Sequence, residues 1–202
     1  MSDILALDIE TANYSHEIGG WDKTAMFEPT VVATWDGDIS TVYCNKTLDP
    51  AALPEGTIVK ELHPRTLGED LTSFVEKGGR LLGHNIRHFD LPVIRDALDC
   101  WAAGELLGKS DSIIDTSVSL NKKRFASDLG TLVRHTLSDY KIASSADAPM
   151  MWKQGRYDEV AAYCLKDAQL SYRLWTHGNQ QGVIKSRSKE DGSIMEIEVN
   201  WI

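Results

Sequence analysis

A mixed α/β sheet flanked by helices is the fold this sequence predicts, on three observations. An apolar strand, DILALDI, opens the chain; two β-rich runs, TVVATWD and ISTVYC, follow with Asp36-Gly37 between them; and beyond residue 66 short apolar runs alternate with helical periodicities. An antiparallel start followed by strand–helix alternation gives a sheet of mixed direction with helices on its faces. The competing doubly wound nucleotide-binding sheet lacks its usual signature, since neither GxGxxG nor GxxxxGK[ST] occurs.

The elements follow in order. Residues 3–9 form a buried strand, and 30–36 with 39–44 form a hairpin, because Asp-Gly supplies the positive φ that a tight hairpin turn needs. Between them, Ala12 to Pro29 is a long irregular polar loop carrying Trp21 and Phe27, longer than a compact domain keeps without a use for it. Thr66 and Glu69 have capping-box spacing, Leu67, Leu71, Phe74 and Val75 share one helical face, and Gly78-Gly79 closes the segment, so a helix is expected over 67–77. RLLGHN (80–85) reads as a short strand, and the run through Pro92, Ile94 and Leu98 as a helix with proline in its first turn. A strand at Ser112–Ser117, a helix near Asp128–Leu137 and a long helix over about 157–177 complete the domain, assigned to residues 1–178. Residues 179–202, with a Glu-Asp-Gly turn between alternating segments, are expected to be a β-hairpin extension of the same domain, with no role beyond an edge or a partner contact.

With 202 residues and 42% hydrophobic content, one well-buried core is the default. No apolar run approaches the roughly 18–20 residues that span a bilayer, and the first residues lack the basic patch of a signal peptide, so a soluble, cytoplasmic protein is expected. Three widely spaced cysteines make neither a disulfide framework nor a zinc knuckle. A net charge of −9 argues against a basic-stripe nucleic-acid binder but not against a nuclease, which concentrates carboxylates around divalent metals and grips phosphate with a few local cations.

The informative feature is acid in apolar surroundings. Asp8 and Glu10 lie two apart in the opening strand, so both point to the same face, about 7 Å apart along it. They would repel each other unless a cation or water reached them. In the long helix the apolar stripe runs Val160, Cys164, Ala168 or Asp167, Ser171, Leu174 and Trp175, which puts Asp167 on or beside the inward face with Tyr163 one turn before it. Asp90 stands where a helix starts; taken alone it is an ordinary helix-terminus residue. Together Asp8, Glu10, Asp90 and Asp167 have the composition of an all-oxygen site for two Mg2+ or Mn2+ ions, a pair suited to phosphodiester cleavage. The histidines at 16, 63, 84, 88, 135 and 177 offer no competing HExxH-type pattern.

At these residues the chain resembles the DEDD superfamily of 3′-to-5′ exonucleases, in its tyrosine-type (DEDDy) branch, and in particular stand-alone relatives of the proofreading domain of family B DNA polymerases. Asp8-Ile9-Glu10-Thr11 resembles the first motif, NIRHFD (85–90) the second and Tyr163-Cys164-Leu165-Lys166-Asp167 the third. Tyr163, four residues before Asp167, selects the branch, because the histidine type would need His where Ala162 stands. The resemblance covers Ile4 to Trp175. It implies a ribonuclease H-like fold; metal ligation by Asp8, Glu10, Asp90 and Asp167; a water-orienting Tyr163; and contacts to terminal nucleotides from Thr11, Asn85 and Phe89. The implied partners are 3′ ends of single-stranded DNA or RNA. Asp115 is read as structural support, and Arg87, Lys122-Lys123-Arg124, Lys185, Arg187 and Lys189 as candidate phosphate-facing charges. The alternatives are an RNA-processing nuclease of the same fold and a catalytically silent nucleic-acid-binding module.

Overall fold

The computed structural model describes residues 3–118, 120–141 and 147–201. Six strands form one mixed sheet: β1 (Ile4–Thr11), β2 (Pro29–Trp35), β3 (Ser40–Cys44), β4 (Ile58–Glu61), β5 (Arg80–Gly83) and β6 (Ile113–Asp115), in the order β4-β3-β2-β1-β5-β6. β2 runs antiparallel to both β1 and β3, whereas β4 on β3, β5 on β1 and β6 on β5 are parallel. The expected hairpin at Asp36-Gly37 is present, with Gly37 at φ +102°; a Cβ there would also lie 2.9 Å from the Tyr172 hydroxyl.

Helices cover both faces. α1 (Pro64–Glu76), α2 (Asp90–Ala97) and α3 (Trp101–Gly108) pack against Leu7, Ile9, Val32, Tyr43, Leu81 and Ile113 on one side. On the other, α4 (Leu129–Leu137), α5 (Ala148–Lys153) and the long α6 (Tyr157–Gln181) pack against Ile4, Ala6, Val31, Ala33, Val42, Leu82 and Ile114. The period-2 alternation of β1 therefore divides its side chains between two apolar layers. Asp8 and Glu10 fall on the α6 side, continuing the row of Ile4 and Ala6.

Several boundaries differ from expectation, each for a local reason. α1 starts at Pro64, because the His63 ring nitrogen accepts the Arg65 N–H at 3.2 Å and proline suits the first helical turn; Glu69 pairs instead with Arg65. β5 ends at Gly83, and Asn85 turns left-handed at φ +73°. β6 is three residues long, because Asp115 accepts from the Ser117 N–H and bends the chain out of the sheet. β4, α3 and α5 were not expected: β4 is mostly exposed and charged, and so lacks apolar alternation. The C-terminal hairpin, β7 (Val183–Arg187) with β8 (Ile194–Glu198), forms where expected, but as a separate two-stranded sheet. Ile184, Ile197 and Trp201 anchor it in the layer beneath α4 and α6. No helix among the described residues is long and apolar enough to cross a membrane.

Candidate functional site

β1 and α6 bring three of the expected acids together. Oxygens of Asp8, Glu10 and Asp167 lie within 4.8 Å of one another. Strand pitch puts Asp8 and Glu10 on the face that α6 crosses, and the crossing is close: the Cys164 thiol donates to the Asp8 carbonyl at 3.3 Å. One turn later the same helix delivers Asp167, which is 2% exposed, and Tyr163 is fully buried beside it. A register shift between Glu10 and Thr11, with the Thr30 hydroxyl donating to the Glu10 carbonyl at 3.0 Å, closes the strand at the site.

Three buried side-chain oxygens among the described residues lack a hydrogen-bond partner, and all three are here: Asp8 Oδ2, Asp167 Oδ1 and the Tyr163 hydroxyl. The Tyr163 hydroxyl lies beside Asp167 without hydrogen-bond geometry. Orphaned buried oxygens are costly unless something meets them, and an all-oxygen donor set of carboxylates fits a hard divalent cation. Asp90 is 4% exposed, lines the same cleft and adds its charge to those acting on Asp8 and Glu10, but its oxygens lie outside the 4.8 Å within which the other three acids meet.

The electrostatics agree with the geometry. Burial first, then the charges of Asp167, Glu10 and Asp90, hold the Asp8 carboxyl well above the usual range. Glu10 is raised in the same way, by burial and then Asp167, against the pull of Lys141. Burial pushes Asp90 up to about 8, its own backbone N–H and that of Ile9 opposing. Asp167 is raised by burial although Lys141 draws it down. Lys141 itself is the surprise: its ammonium sits 2.5 Å from Asp167 Oδ2 and over the Tyr163 ring at 5.1 Å. Nothing in the sequence marked it, because it stands on a non-periodic segment after α4 and reaches the acids only through the tertiary fold.

The wider cleft encloses about 1370 Å³. Thr11, Asn85 and Phe89 all line it. The Thr11 hydroxyl donates to the Asn13 carbonyl at 3.0 Å, and Phe89 packs edge-on against Phe27 and Trp21, the latter 65% exposed, so the loop over 12–28 forms an aromatic side of the cleft. Asn85 is held by Asp115, whose carboxylate accepts the N–H groups of Asn85 at 2.9 Å, Arg87 at 3.1 Å and Ser117 at 2.9 Å. The expected supporting role of Asp115 fits this clamp. Asp115→Ala should cost about 2–3 kcal/mol, since three N–H groups lose their carboxyl acceptor, and urea unfolding at neutral pH measures it.

Expected phosphate contacts divide differently. The Arg87 guanidinium points away, donating to the carbonyls of Ser110 at 2.5 Å and Ile113 at 2.6 Å. Lys122 donates to the Ser117 hydroxyl, Lys185 approaches Glu196 at 3.9 Å, and Lys189 donates to the Lys122 carbonyl. Of those candidates only Arg187 lines the cleft, joined by Arg134, His135 and Tyr140, which sequence reasoning did not single out.

No family model and no curated protein matches this chain. What the site can do therefore rests on its chemistry: a buried acidic cluster with unpartnered oxygens, able to hold a divalent cation, at the base of a cleft aromatic on one side and cationic on another.

Proposed function

We propose that the chain is a metal-dependent 3′-to-5′ exonuclease of the DEDDy type, hydrolysing phosphodiester bonds at the 3′ ends of single-stranded DNA or RNA and releasing nucleoside 5′-monophosphates. The observation that carries this reading is the convergence of Asp8, Glu10 and Asp167 with three unpartnered buried oxygens at the base of one cleft. The strand order, with β2 antiparallel between β1 and β3, supports a ribonuclease H-like fold. The 3′-to-5′ polarity rests on the resemblance of the three motifs to those of the DEDD exonucleases.

Asp8, Glu10 and Asp167 would hold one divalent ion, and Asp8 with Asp90 a second. Two bound Mg2+ or Mn2+ ions would supply the Lewis acidity that activates water and offsets charge on the leaving oxygen. Four carboxylates, one ammonium, two divalent cations and one phosphodiester sum to neutrality. Lys141 reaches Asp167 and so would stand beside the phosphate. Burial and three neighbouring carboxylates push the Tyr163 hydroxyl far above its usual range, so it stays protonated and acts as a hydrogen-bonding group that orients water, not as a base. Tyr163→Phe is expected to lower kcat about 10–100-fold, the scale on which losing a hydrogen-bonding group beside a metal site lowers activity, with ion binding by calorimetry unchanged. Thr11, Asn85 and Phe89 would contact the terminal nucleotides, with stacking tolerant of sequence.

The test is a panel of end-labelled DNA and RNA strands with Mg2+ or Mn2+, each blocked at the 3′ or the 5′ end. Degradation that ignores a 3′ block would sink the polarity, and intact strands throughout would sink the activity. One observation favours a catalytically silent binding module: Lys141 already places a positive charge against Asp167. Lys141 leaves Asp8 Oδ2 and Asp167 Oδ1 unpartnered, which favours the enzyme, and calorimetry separates the two, since a silent module would bind no Mn2+ at millimolar concentration.

A further inference from the structure

We infer that the face built by α4 and the C-terminal hairpin is the track along which the phosphate backbone of a single-stranded nucleic acid runs to the acidic cluster, with Tyr140 as a platform for one base. The inference rests on the nuclease reading above and extends it to a surface outside the three motifs.

Arginine usage singles the face out. Arg65, Arg95, Arg156 and Arg173 each pair with a carboxylate, Arg80 and Arg87 donate to backbone carbonyls, and Arg124 lies over the Phe125 ring outside the cleft lining. Arg134 and Arg187 are exposed, both line the cleft, and among the described residues neither is in an ion pair. In a chain of net charge −9, two cations without a carboxylate partner in the cleft that holds the acids are matched to an anionic ligand. The guanidinium fork suits phosphate.

The two cations are held in a fixed relation. The Thr136 hydroxyl donates to the Lys185 carbonyl at 3.2 Å and accepts the Lys185 N–H at 2.9 Å, tying α4 to β7, and the Ser186 hydroxyl donates to the Ala126 carbonyl. β7 then alternates strictly: Ile184 and Ser186 are buried, while Lys185 and Arg187 face outward. Ile194 pairs with Arg187 across the hairpin, is 47% exposed and also lines the cleft, so the strand pair presents a cation beside an apolar surface. Tyr140, 64% exposed, lies 5.8 Å from the Arg134 guanidinium carbon. Cations for the backbone and an open aromatic face for a base are what a sequence-tolerant single-strand site combines.

The experiment compares the wild-type chain, Arg134→Ala/Arg187→Ala, Tyr140→Ala and the control Arg65→Ala, whose guanidinium lies on α1 at the opposite face. Anisotropy with labelled twelve-nucleotide dT and rU strands in EDTA reads binding against salt; steady-state cleavage with Mn2+ reads KM and kcat; circular dichroism checks the fold. The double variant is expected to bind about tenfold more weakly, with a salt slope shallower by about 1.4, two backbone contacts at ~0.7 each, and to show a raised KM with kcat nearly unchanged. Tyr140→Ala should weaken binding without changing the slope. If the wild type degrades strands and the double variant matches it in affinity, slope and KM, the track is wrong and the nuclease reading survives. If strands bind, the double variant loses them and no cleavage occurs with either ion, the track stands and the nuclease reading falls. Neither binding nor cleavage by the wild type overturns both. The dT and rU arms show which sugar the track accepts.

Discussion

Asp8→Asn and Asp167→Asn are each expected to lower 3′-end cleavage on the order of 10³-fold, about 4 kcal/mol of transition-state stabilisation, while the protein keeps its fold. Both substitutions preserve shape and remove one charge from a cluster whose members repel each other. Asp8 Oδ2 and Asp167 Oδ1 make no hydrogen bond that would be lost, whereas Asp167→Asn also gives up the Lys141 ion pair at Oδ2, so circular dichroism accompanies each assay. Asp70→Asn is the control, since Asp70 is a partly exposed acid tied to Lys60 at 2.6 Å and to the Tyr43 hydroxyl and does not line the cleft. Cleavage close to wild type in Asp8→Asn would mean that the reacting centre lies elsewhere.

The second large effect is a stability that falls as pH rises in metal-free protein. Folded carboxyls at Asp8, Glu10, Asp90 and Asp167 are all raised above their unfolded values. The folded state therefore binds more protons than the unfolded one, and its advantage is complete below about pH 4, where unfolded carboxyls also hold theirs. That advantage is lost as pH climbs through the folded values, of which Asp90 at about 8 is one. Lys141 is also raised, but its contribution is lost only near and above its alkaline unfolded value; buried His84, lowered by desolvation, works against the trend below about pH 6.5, one group against four. A loss of ~3 kcal/mol, or a melting temperature lower by about 6–12 °C, is expected between pH 5 and pH 8.5. Millimolar Mn2+ should restore it, more at the alkaline end, and Asp8→Asn should flatten the metal-free profile. A melting temperature that is flat or rising over this range in EDTA would contradict the electrostatic reading of the cluster.

Much of the fold was legible because it rests on local pattern. An apolar run marked β1, Asp36-Gly37 marked the hairpin, and the i, i+4 pair Tyr163 and Asp167 placed two site residues on one face of α6. What could not be read depends on distant partners. Lys141 gains its role only by crossing to Asp167, and Arg87, which stands inside the second motif, is turned away by carbonyls more than twenty residues off. The C-terminal hairpin was legible as a hairpin but not as a side of the cleft, because hydrophobic alternation gives a strand its inward face and not the surface it docks on. Asp90 shows the limit from the other side: the helix start it was assigned to is there, but its distance from the other three acids is set by how α2 packs on β1, which no local pattern records.

The division of β1 between two layers also governs how the chain can fold wrongly. Leu7 and Ile9 fill one layer while Asp8 and Glu10 face the other. A one-residue slip of β1 against β2 would exchange them, pressing two carboxylates into the apolar layer of Leu67, Leu71, Leu91 and Ile94. The same two acids that cost stability in the correct structure make the mispaired sheet far worse, so the charges that serve the site also keep the central strand in step while the sheet assembles.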